Sequence, residues 1–192
     1  MKSLALAIAI AALTCGTAWC APERADCSIT PQDLQSNLSL SFAEFDQDGV
    51  TATTARALGD RKCDAAAAQA TEHYLAYRPD LSASEINILT WHLAQYLAAA
   101  GDERTAAKVM LAARRPPANP PESDGFEWNT YVVGSWAFLI KDRQALEAAT
   151  SRLSAAPGVR NGMNAKVLRR FSKCFDRSYI EAYDSVSCEP GS

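Results

Sequence analysis

The stretch Ser84–Ala113 constrains the fold most, because it spells out two helices and the turn between them. Ile86, Leu89, Leu93, Leu97 and Ala100 recur at steps of three and four residues, and Ile88, Trp91 and Tyr96 widen this stripe into one face of a buried amphipathic helix. Ser82, with Glu85 three residues on, predicts a capping box at the helix start. Gly101 predicts its end, since glycine enters the left-handed region without a Cβ penalty, and Asp102 is placed to accept from the free amides of a second helix. Two antiparallel helices follow from that order of signals.

Similar signals divide the rest of the chain. Thr30, Pro31 and Asp33 predict a short capped helix, and Leu38–Phe42 alternates apolar and polar residues over too few positions to decide between strand and turn. Phe45–Gly49 has the acids of a calcium loop but lacks its third ligand and closing glutamate, so a turn above packed Phe42 and Phe45 is expected instead. A helix over Ala52–Leu58, Gly59-Asp60 as turn punctuation, and a helix from Arg61 to Tyr77 ended by Pro79 make a first hairpin. After an extended proline-rich loop over residues 116–123, Asp124 and Glu127 predict the entrance to an aromatic helix carrying Phe126, Trp128, Tyr131, Val132, Ser135, Trp136 and Leu139. Lys141-Asp142 stands where Gly-Asp stood, and a helix over Arg143–Ala155 ends at Pro157-Gly158. Asn161–Lys173 and Asp176–Ser187 predict a closing hairpin.

Ala94, Gly101, Ala106 and Ala113, with Pro116-Pro117 after them, resemble the small-residue and proline positions of the tetratricopeptide repeat, with Leu93, Leu97 and Met110 filling the space beside them. Aligning Ala67, Ala106 and Ala145 gives a period of 39 over about residues 52–157, longer than the family's ~34. The resemblance implies an all-α fold, a short stack of antiparallel helical hairpins (a tetratricopeptide-like α-solenoid), here with a short N-terminal arm and a last hairpin capping the apolar end.

Met1-Lys2, the apolar run Leu4–Leu13 and Ala18-Trp19-Cys20 read as a secretory signal peptide over residues 1–20, leaving 21–192 as one domain. Cleavage there removes Cys15 and Cys20 and leaves Cys27, Cys63, Cys174 and Cys188. In an exported chain four cysteines favour two disulfides, and Cys27–Cys63 with Cys174–Cys188 is the simplest of the three pairings because each closes a local loop; buried free thiols are the alternative. No cysteine pair has zinc spacing and the chain has only two histidines, so no metal and no cofactor is expected. The formal charge is −3, and loss of Lys2 makes it −4, which implies no nucleic-acid partner. The basic run Arg160–Arg177 reads as a solvated helix face, and no stable membrane insertion is expected after cleavage.

Trp91, His92, Trp128 and Asn129 are the candidate binding residues, since they stand near the first helices of two hairpins, which line the concave face in the tetratricopeptide-like stack. The same aromatics also fit core positions with their polar tips on backbone groups. Nucleophile elbows and phosphate loops are absent, and the acids Asp46, Glu72, Glu85 and Glu127 show no pairing in sequence. The expectation is therefore a periplasmic or secreted non-catalytic module that binds a protein or peptide. An immunity or inhibitor protein against an exported toxin or hydrolase is an alternative, as is a wall-active hydrolase using acidic residues.

Overall fold

The computed structural model describes residues 26–116 and 125–191. The expected leader over residues 1–20 and the predicted cap at Asp124 lie outside the described residues, as do the prolines at 117, 120 and 121. Among the described residues the chain is all-helical, with no strand, and the ambiguous segment 38–42 is a turn leading into a π-helical turn at Ala43–Asp48. The helices are α1 (Pro31–Asn37), α2 (Ala55–Asp60), α3 (Asp64–Tyr77), α4 (Ala83–Ala99), α5 (Glu103–Ala112), α6 (Trp128–Leu139), α7 (Arg143–Ala155), α8 (Val159–Lys173) and α9 (Tyr179–Asp184). From α2 onward each packs on its neighbours in sequence, α1 packs on α3, α6 also on α8, and α9 also on α4.

Three turns repeat one geometry. Lys62, Gly101 and Lys141 have φ of 61°, 94° and 59°, and each follows the last residues of a helix in a Schellman motif. In each motif the next residue's N–H returns to a carbonyl of the preceding turn: Cys63 to Leu58, Asp102 to Leu97, Asp142 to Ala137. The predicted punctuation at Gly59-Asp60 is thus corrected, because those residues end α2 and Lys62 makes the turn. The turn spacings are 101 − 62 = 39 and 141 − 101 = 40, so Leu146 and not Ala145 is equivalent to Ala67 and Ala106. Leu146 is fully buried where an alanine was expected.

A left-handed lysine is strained relative to glycine, and here both lysines use their side chains. Lys62 Nζ donates to Asp184 at 2.9 Å, while Lys141 Nζ donates to the carbonyls of Phe175 at 3.0 Å and Arg177 at 2.9 Å. At the middle turn Glu103 accepts from the Tyr179 N–H. Residues 175–184 therefore form a brace across all three turns, and Cys174–Cys188 closes the loop that carries it, with Cα atoms 5.6 Å apart. Cys27–Cys63, at 5.2 Å, ties the N-terminal arm to the start of α3.

Two cores result. Phe45 stacks on Tyr74 at 4.0 Å between the π-helical turn and α3, with Leu58 and Leu89 beside them. The larger core joins α4 to α9 through Trp91, Met110, Phe138, Leu168 and Phe171. In it α6 meets α7 and α8 at Gly134, where a Cβ would stand 2.5 Å from Leu168 Cδ1 and 3.0 Å from Ala149 Cβ. The predicted α4 stripe is buried at its centre and open at its ends, since Ile86 is 42% exposed and Ala100 is exposed.

Helix entrances rest on carboxylates. Thr30–Asp33, Ser82–Glu85 and Ser178–Glu181 form capping boxes, and Asp102 accepts from Thr105 N–H. Donation from the Ser or Thr hydroxyl, then from the backbone amide, holds Asp33, Glu85 and Glu181 below the usual carboxylate range; for Asp102 the amide comes first. A depressed carboxyl contributes stability above its unfolded value and loses it as pH falls through its folded value. Melting temperature should stay level down to about pH 5 and fall progressively below about pH 4, as thermal scans across that range would show. An unchanged melting temperature at about pH 3 would contradict this role for the caps.

Candidate functional site

The structure separates the four candidate residues. Trp91 and Trp128 meet edge to face with ring centres 5.7 Å apart, and Tyr131 tilts against Trp91 at 4.9 Å. Trp91 is 4% exposed and Trp128 9%, so of the two readings given above, contact residues partly exposed on a concave face or core positions, their burial fits the core one, driven by their apolar area. The polar tip of Trp128 is satisfied, with Nε1 donating to the Ala113 carbonyl at 2.8 Å.

Asn129 is half-buried and serves its own chain. Arg115 N–H donates to its Oδ1 and its Nδ2 donates to the Arg115 carbonyl, both at 2.8 Å, so one side-chain amide pairs with extended backbone beyond α5 as a neighbouring strand would. The Arg115 guanidinium lies over the Trp128 ring at 4.1 Å. Asn161, fully buried, does the same work on the other side of residues 117–124: its Oδ1 accepts from Glu127 N–H, and its Nδ2 donates to the carbonyls of Gly125 and Pro157.

His92 belongs to another neighbourhood. Its Nδ1 lies 2.8 Å from Asp46 Oδ1, and Asp46 is fully buried on the π-helical turn while the His92 side chain is 20% exposed. Gln47 Nε2 donates to the other Asp46 oxygen, and Arg56 Nε donates to the Asp46 backbone carbonyl at 3.0 Å. His92 thus ties α4 to the arm instead of facing Trp128.

A cleft of about 1030 Å³ does lie beside α6. Trp128, Asn129 and Val133 form one wall, Ala83, Ser84 and Asn87 at the start of α4 another, and Ala145, Ala148 and Ala149 of α7 the floor; Arg114, Arg115 and Arg152 stand at its edge. Of the candidate residues only Trp128 and Asn129 line it. Sequence reasoning missed the floor and the arginines. The available signal is the spacing of Ala145, Ala148 and Ala149, small residues three and four positions apart on one helix, of which only Ala145 serves above, as a repeat position.

The acids named as catalytic candidates have separate partners: Asp46 has His92, Glu85 has Ser82, and Glu127 accepts from Thr130 and Arg152, while Glu72 is exposed. Of the basic run read as a solvated face, Arg170 donates to Glu189 and the Ser185 carbonyl, Lys173 to the Glu189 carbonyl and Arg169 to Ser154, so these side chains hold the C-terminal loop and its neighbours. Desolvation pushes the Tyr131 hydroxyl well up and the Lys141 ammonium down; Tyr131 is buried, Lys141 sits at an exposed turn, and neither lines the cleft. Among the described residues no group of three or more His, Cys, Asp or Glu is placed to hold a metal ion, and no helix is long and apolar enough to cross a membrane. No protein-family model, no curated protein and no solved structure matches this chain.

Proposed function

We propose that this chain is an exported, non-catalytic protein of tetratricopeptide-like helical hairpins that holds a segment of a protein partner in the cleft between α4, α6 and α7. The cleft carries the reading. At about 1030 Å³ it is at the upper end of the size range of ligand sites, and its alanine floor leaves room for a partner's side chains beside the Trp128 wall. Export is supported by the leader pattern of residues 1–20 and by two disulfides, which persist in oxidising compartments. The Schellman turns at Lys62, Gly101 and Lys141 support the repeated hairpin.

Ala148 is exposed on the floor, so a photoreactive benzophenone side chain at that position tests the cleft without disturbing the core. Irradiation in the source cells should give a discrete protein adduct from position 148 and none from exposed Glu72 on α3. Equal labelling from both positions, or none from 148, would remove the cleft reading.

A further inference from the structure

We infer that the segment taken by the cleft is acidic and carries apolar side chains between its carboxylates. This rests on the cleft reading and adds the chemistry of the occupant. Among the described residues, Arg114, Arg115 and Arg152 line the cleft together with one acid, Glu127. The one acid is already engaged: Glu127 Oε2 accepts from Arg152 Nη2 at 2.8 Å and from the Thr130 hydroxyl at 2.9 Å. Arg114 is exposed and has no ion pair among the described residues, and the Arg152 side chain is 67% exposed beyond its bond to Glu127.

Below these guanidiniums the surface changes character. The floor is alanine, with Val133 and the Trp128 ring beside it, so a purely charged segment would leave it uncovered. An extended peptide alternates its side chains, which lets carboxylates reach Arg114 and Arg152 while intervening apolar side chains settle on the alanines. Guanidinium–carboxylate pairs in a partly enclosed cleft are stronger and more directional than exposed point charges.

The probe is a fluorescein-labelled peptide of alternating aspartate and leucine, titrated with the mature chain at low salt and followed by anisotropy. Saturable binding is expected, and Arg114→Glu should weaken it at least about tenfold by turning one charge-assisted contact into a repulsion. Ala148→Phe, which fills the floor from an exposed position, should weaken it comparably. Arg177→Glu, an exposed charge outside the cleft, should not. Unchanged melting temperatures for all three variants keep the comparison on binding. Equal affinity for the alternating lysine–leucine peptide or for a single-stranded oligonucleotide would overturn the inference, as would indifference to both Arg114→Glu and Ala148→Phe. If position 148 yields its adduct in cells and the acidic peptide does not bind, the acidic occupant is excluded while the cleft remains the contact surface.

Discussion

Replacing Cys174 and Cys188 together with serine lowers the melting temperature by roughly 5–15 °C, from a loss of about 2–4 kcal/mol and the few degrees per kcal/mol typical of a chain this size. The disulfide spans 14 residues, and the loop it closes carries the brace that meets the turns at Lys62, Glu103 and Lys141. Freeing the loop gives the unfolded chain more conformations and also loosens native contacts at three turns, so the effect exceeds that of an isolated surface loop. Both cysteines are buried, which adds the cost of placing hydroxyls in apolar surroundings. Hydrogen exchange resolves the two contributions: amides of Tyr179–Asp184 should exchange faster in the variant well below its melting temperature. A variant that melts lower without that local change would show that the disulfide acts on the unfolded state alone.

His92→Ala costs about 2–4 kcal/mol, several times the cost of an ordinary surface change, because it leaves the buried Asp46 carboxylate with Gln47 as its remaining side-chain partner. Asn129→Ala, which releases two hydrogen bonds to Arg115 at a half-buried position, costs about 1–2 kcal/mol. Urea midpoints rank the two directly. Asp46→Asn should recover part of the His92→Ala loss when the two are combined, since a neutral amide is less costly to bury than an unpaired charge. A His92→Ala midpoint equal to that of the unmodified chain would return His92 to the surface and reopen it as a contact residue.

The candidate site shows where local reading ends. Trp91-His92 and Trp128-Asn129 look alike in sequence, as an aromatic beside a polar residue on the first helix of a hairpin. Packing gives them unlike roles, because adjacent helix residues point about 100° apart and so meet different neighbours. Trp91 turns toward α6, whereas His92 turns toward Asp46, 46 residues earlier in the chain. Nothing in sequence distance marks that pairing.

What the sequence determined by itself is the set of features that depend on a few adjacent residues. The capping boxes at Thr30 and Ser82, the αL turn at Gly101, the bounds of α7 and the local cysteine pairings all follow from short-range hydrogen bonding or loop closure. Tertiary structure alone decided the rest. Lys62 and Lys141 hold a backbone conformation that glycine favours, and their ammonium groups contact residues 122 positions further on for Lys62 and 34 and 36 positions further on for Lys141. The floor of the cleft is likewise set by packing, since Ala148 stays exposed while Ala149, one residue on, is buried beside Gly134 of α6. A small residue carries the same local signal whether its Cβ meets another helix or open space, and only the packed neighbours set that difference.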